Sequence, residues 1–175
     1  MQSVKTDIYS LIELIDLFNK FDRNKKVYTI GNGGSAALAE HFAQDLLKKC
    51  HIPAIFLGNI SNITAFGNDI KFEEIFSSQL ETLINNEDIL ICFSSSGNSL
   101  DIVNACNQAS DLGAWIVSFT GFSGGQVKSI SDINIYVPSD NYGIVETIHS
   151  LLFHFIIDSL CEKIGSWQYF DSMIE

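Results

Sequence analysis

Apolar residues recur along this chain in two alternating patterns. Short runs rich in β-branched and aromatic residues, Val27–Ile30, Ala54–Leu57, Ile89–Phe93, Trp115–Phe119 and Ile133–Val137, each end at Gly, Ser, Thr or Pro and read as five strands. Between them, apolar spacing near 3.6 predicts helices over roughly 8–21, 35–49, 72–84, 100–112 and 144–164, the first extending back to about residue 3. Strands and helices in this succession imply right-handed crossovers and a parallel sheet covered on both faces. Ile89–Phe93, whose only charge stands at its entrance as Asp88, fits a strand buried on both sides. The expected architecture is α/β, a three-layer αβα sandwich around a five-stranded parallel sheet. No internal repeat, low-complexity segment or linker interrupts the pattern, and Pro53 and Pro138 lie beside strand ends. The expectation is one domain over 1–175, with an α/β body at about 26–164. An aromatic tail, Trp167–Phe170, is expected to pack on that body or on a neighbouring subunit.

Composition narrows the partners. Ten basic residues face 21 acidic ones for a formal net charge of -11, and Arg23 is the only arginine. No basic stripe is present to displace counterions from nucleic acid or to sit on an anionic membrane. Hydrophobic residues make up 46% and charged residues 18%, the composition of a folded domain that hides further surface in an oligomer. The N-terminus lacks a signal-peptide apolar run, and no stretch reaches the ~18 consecutive apolar residues of a membrane span. Cys50, Cys92, Cys106 and Cys161 form no CxxC pair, so buried free thiols in a reducing cytoplasm are expected.

Ligands of open parallel sheets bind where strands end, and three junctions stand out there. Gly31-Asn32-Gly33-Gly34-Ser35 follows the first strand, Ser94-Ser95-Ser96-Gly97-Asn98-Ser99 the third, and Thr120-Gly121-Phe122-Ser123-Gly124-Gly125 the fourth. Neither of the first two is a dinucleotide fingerprint or a P-loop. Hydroxyls, glycines and the free N–H groups of helix starts nevertheless suit an anion, and two such turns at adjacent strand ends point to phosphate held without arginine.

His41 and Asp45, i and i+4 in the helix after the first turn, share a face. Glu146 and His154 are eight apart, about 80 degrees around a helix, and Glu146 and His149 are i and i+3. Imidazoles and carboxylates converging from two helices bind a divalent ion such as zinc or act as acid and base. The alternative is structural: His149 and His154 lie among Leu151, Leu152, Phe153 and Phe155, where core histidines are common, and Asp45 fits a solvated helix face. His51 reads as an exposed loop residue.

The ordered motifs GNGGSAALAEHFAQDL at 31–46, FGNDIKFEEIF at 66–76, SSSGNSLDIVNA at 94–105, SFTGFSGG at 118–125 and ETIHSLLFH at 146–154 resemble the sugar isomerase (SIS) family. Within it they are most similar to the branch acting on seven-carbon sugar phosphates. The resemblance implies a flavodoxin-like fold and an aldose–ketose isomerase converting sedoheptulose 7-phosphate to D-glycero-D-manno-heptose 7-phosphate for bacterial surface polysaccharide. Substrate contacts are implied for Asn32, Gly33, Gly34, Asp45, Asn68, Asp69, Ser94, Ser95, Ser96, Ser99 and Glu146. Asp45 and His154 are the implied acid–base pair, and His41, Asp45, Glu146 and His154 the implied ligands of one zinc per subunit in a homotetramer with sites at subunit interfaces. The chain departs from the family pattern at Asp45, usually glutamate, at Glu146, usually glutamine, and at Ala36, commonly histidine. Two other readings stand beside it: a non-catalytic SIS protein that binds a sugar phosphate or a replication initiator, and an isomerase of a different phosphosugar.

Overall fold

The computed structural model describes residues 8–164. The aromatic tail Trp167–Phe170 and the predicted helical residues 3–7 lie outside them. All five strands form at the predicted places: β1 (Val27–Gly31), β2 (Ala54–Phe56), β3 (Ile89–Ser94), β4 (Trp115–Thr120) and β5 (Ile133–Tyr136). They make one parallel sheet in the order β2-β1-β3-β4-β5. Among the described residues the helices are α1 (Ile8–Asn19), α2 (Gly33–Lys48), α3 (Ile60–Asp69), α4 (Ser77–Leu83), α5 (Leu100–Asp111), α6 (Gly125–Ile130) and α7 (Tyr142–Ile164).

Alternation along the strands divides the core in two. Val27, Ile89, Ile91, Phe93, Val117 and Phe119 face α1, α2 and α7, while Tyr28, Ile30, Leu90, Cys92 and Ile116 face α4, α5 and α6. β1 and β3 are buried at every position, which is why they read as continuous apolar runs. On the first face Phe42, Phe93, Phe119 and Phe153 form a ring cluster, Phe93 stacked on Phe119 at 4.3 Å. Truncating fully buried Phe153 to alanine costs about 3–5 kcal/mol, because transfer and cavity terms add.

Two expectations are corrected. The helix anticipated over 72–84 is broken into a 3-10 turn at Phe72–Glu74 and α4, and the Ser77 hydroxyl donates to the Glu74 carboxylate across the break. Helices α3 and α6 were not legible. α3 has no fully buried residue and meets the core only through partly buried Ile63 and Phe66, and α6 has only six residues. α7 is long and apolar enough to cross a membrane by length and composition, yet Val145, Phe153, Ile156, Ile157 and Leu160 are buried in the protein. Its opposite side leaves Ile144, Leu151 and Phe155 exposed. The four cysteines are free and buried, and the single arginine donates to the Cys50 and His51 carbonyls.

Candidate functional site

Strand register brings the two anion turns together. Gly31 pairs with Phe93 across β1 and β3, so the turns that follow lie side by side at the point where the sheet's winding reverses. A cavity of about 300 Å³ opens there, lined by Asn32, Gly33, Gly34, Ser35, Ser94, Ser95, Ser96, Ser99 and Glu146, all named by the sequence reading, and by Phe93, Ile102 and Tyr142, which it did not place in the site. α2 and α5 begin at this cavity, and neither Asn32 nor Ser99 caps its helix with its side chain. The helix-start N–H groups and the Ser99 hydroxyl therefore remain available to an anion.

Close packing shapes this cradle. A Cβ on Gly34 would stand 2.5 Å from Glu146 Oε2, so glycine is what lets the α7 carboxylate lie over the first turn of α2. Gly97 has φ +65, and a Cβ there would strike the Gly124 carbonyl. The third Gly-rich junction thus buttresses the serine loop instead of lining the cavity. Asn32 donates to Asp101 Oδ2 at 2.7 Å, fastening the first turn to α5. Burial raises the Asp101 pKa, and the Asn32 hydrogen bond partly counters it. Ser95 contributes to the wall, but its Oγ is closed to solvent, so its hydroxyl is not presented to the cavity.

A second cluster lies farther along the same helices. Asp45 Oδ2 is 3.6 Å from His41 Nε2 and 3.8 Å from His154 Nδ1, and the two imidazole centroids are 5.0 Å apart. Asp45 is 2% exposed, which corrects the solvated-face alternative, whereas the His41 and His154 side chains are 47% and 40% exposed. Phe153 backs both imidazoles. Lys49, which the sequence reading overlooked despite its i+4 spacing from Asp45, places Nζ 2.8 Å from Asp45 Oδ2.

The implied zinc set is not assembled in one chain. Among the described residues no group of three His, Cys, Asp or Glu side chains is spaced to hold a metal ion. Lys49 sits on the carboxylate oxygen a cation would take, and Glu146 belongs to the cradle. As they stand, these residues do not fit the ion. Asn68 and Asp69 also lie elsewhere, exposed at the end of α3 and hydrogen-bonded to each other at 2.7 Å. His149 is a core histidine with one satisfied nitrogen: Nε2 bonds the Thr120 carbonyl at 3.2 Å, and Nδ1 has no partner among the described residues. Burial lowers its pKa to about 4. His51 is exposed, as expected.

A doubly covered parallel sheet with an arginine-free, serine-lined cavity at its switch point defines an α/β protein of the three-layer kind whose cavity is chemically suited to an anion. The SIS domain model matches residues 3–121, and the chain belongs to the SIS domain family. It is 36% identical over 170 residues to a phosphoheptose isomerase of Helicobacter pylori (strain P12), covering 91% of this chain and 88% of that one. Solved structures of phosphoheptose isomerases from Francisella tularensis and Neisseria gonorrhoeae superpose with TM-scores of 0.83 and 0.82 at 33% and 30% identity. The first covers 89% of this chain and 86% of its own, the second 87% and 85%.

Proposed function

We propose that the protein is a cytoplasmic aldose–ketose isomerase that converts sedoheptulose 7-phosphate to D-glycero-D-manno-heptose 7-phosphate, supplying heptose for a surface polysaccharide. Relatives named phosphoheptose isomerase over nearly the whole chain support the substrate. One observation carries the reading: a chain that builds a phosphate cradle also holds a buried carboxylate beside a half-exposed imidazole, Asp45 and His154.

In this reaction the base removes a proton from C1 of the ketose while the C2 carbonyl oxygen takes one, giving a cis-enediol. Return of a proton to C2 and loss of one from the C1 hydroxyl yields the aldose with no atom gained or lost. Asp45 and His154 exchange those protons, and helix starts and hydroxyls of the cradle hold the phosphate. Lys49 supplies positive charge beside the carboxylate.

The site is shared between subunits. Asp45 lies eleven residues beyond Gly34, about 16 Å along α2, and His154 eight beyond Glu146, about 12 Å along α7. An extended seven-carbon chain spans about 10 Å from C1 to its phosphate. One chain's cradle and its own His41–Asp45–His154 cluster therefore do not serve the same molecule; a second subunit's cluster faces the cradle. The homotetramer is the assembly proposed, with exposed Leu47, Leu151 and Phe155 near the cluster as the apolar surface it covers. Zinc, one per subunit on His41, Asp45, Glu146 and His154, would need Lys49 displaced from Asp45 and the carboxylate of Glu146 brought by a second subunit, and no proton transfer is routed through it.

The test is incubation of pure protein with sedoheptulose 7-phosphate, with and without zinc, followed by NMR for the aldose. Turnover is expected. No turnover in either condition, with wild type indistinguishable from an Asp45→Ala, His154→Ala double variant, overturns the enzyme and leaves the non-catalytic SIS reading. Turnover of another phosphosugar in its place moves the substrate. Elemental analysis after chelator-free purification tests the metal.

A further inference from the structure

Two buried side-chain polar atoms lack a partner among the described residues, Ser95 Oγ and His149 Nδ1. Ser95 lies just beyond the end of β3 and His149 on α7, and both meet the end of β4. Ser95 follows β3, and alternation puts its side chain on the face of Phe93, whose ring centroid is 6.2 Å from that of His149. The Thr120–Gly121 segment ties both residues down: Gly121 N–H donates to the Ser95 carbonyl at 2.8 Å, and His149 Nε2 bonds the Thr120 carbonyl at 3.2 Å. Val145, one turn before His149, closes on Gly121, where a Cβ would stand 2.5 Å from Val145 Cγ2.

The two orphaned atoms are chemically complementary. A carbonyl only accepts, so His149 Nε2 carries the ring hydrogen and Nδ1 presents a lone pair with no donor. The Ser95 hydroxyl is a donor with no acceptor. Burial keeps the ring neutral through the neutral range, so Nδ1 stays an acceptor.

We propose that Ser95 and His149 form a buried hydrogen-bonded couple, closed by one bound water, that makes His149 a positioning residue for the phosphate loop. The water accepts from Ser95 Oγ–H and donates to Nδ1, satisfying two groups whose burial is otherwise costly. The couple turns the Ser95 side chain toward α7. The loop's backbone N–H groups and the Ser94, Ser96 and Ser99 side of the cavity are thereby held toward the ligand. Its effect on substrate rests on the isomerase reading, whereas the couple itself does not.

Nitrogen NMR of the full-length protein labelled in histidine tests the couple without turnover. The expected result is a neutral His149 with hydrogen on Nε2 and an Nδ1 resonance that shifts in Ser95→Ala. The opposite tautomer, or an Nδ1 resonance unmoved by Ser95→Ala, overturns it. In kinetics, Ser95→Ala and His149→Gln each raise KM for sedoheptulose 7-phosphate about tenfold while kcat stays within about threefold, and the double variant is no worse than the weaker single. Multiplicative losses in the double variant overturn the coupling. Should the protein show no turnover, inorganic phosphate titrations of the same three variants give the same comparison, so failure of the activity and failure of the couple are read separately.

Discussion

The phosphate cradle and the His41–Asp45–His154 cluster are built on the same two helices, α2 and α7, by opposite means. The cradle uses backbone: glycine turns, helix starts and short hydroxyl side chains at strand ends, gathered within one chain around an open cavity. The cluster uses side chains from mid-helix, with a buried carboxylate, two half-exposed imidazoles and a phenylalanine behind them. Backbone groups at a switch point come ready assembled by the sheet. Side chains from the middle of a helix pair depend on the packing of both helices, and here the two imidazoles stay open to solvent.

The largest effect belongs to the cluster. Asp45→Ala or His154→Ala lowers kcat about a thousandfold with the Tm little changed for His154→Ala, measured by NMR of the sugar phosphates. Equal losses of KM alone would move both residues from chemistry to binding. Mixing then separates the two regions: Asp45→Ala chains co-assembled with Ser99→Ala chains recover activity in roughly a quarter of the sites, since each site draws on two chains. Recovery of nothing after verified mixing would return cradle and cluster to one subunit.

Acid tests the buried histidine between the regions. Unfolded His149 titrates near 6.5 and folded His149 near 4, so the neutral ring's contribution is present in full above pH 6.5. It is lost as pH falls toward 4, by up to about 3 kcal/mol. Denaturant midpoints across that window check it, and His149→Gln flattens the decline. Lys49→Met frees Asp45 Oδ2 and raises zinc uptake about tenfold by elemental analysis; unchanged uptake would mean that Lys49 does not compete for the carboxylate. The smallest effect is expected in the cradle, where Glu146→Gln removes the anion over Gly34. KM for the phosphosugar falls severalfold, most at low salt.

How much of this was readable follows from how local each feature is. Both anion turns were legible because glycine, serine and a helix start are consecutive in the chain, and His41 with Asp45 because helical spacing puts them on one face. Lys49 has that same spacing and escaped notice because lysines at helix ends are ordinary solvated residues. Asn68 and Asp69 came only from the family resemblance, and in this chain they stand apart from the cavity. The two histidines of α7 had identical apolar surroundings in sequence. Packing against Thr120 buries His149, while His154 reaches Asp45 at the surface.

Hydrophobic periodicity alone determined the five strands, the parallel α/β class and the helices that carry the chemistry, since burial of one face per element is written residue by residue. Tertiary structure alone decided that, within one chain, Glu146 lies over Gly34 at the cavity while Asp45 is paired to Lys49. The reason is geometric: sequence spacing orients side chains around a helix, but distance along its axis and the approach of a second helix separate groups that the same motif lists together.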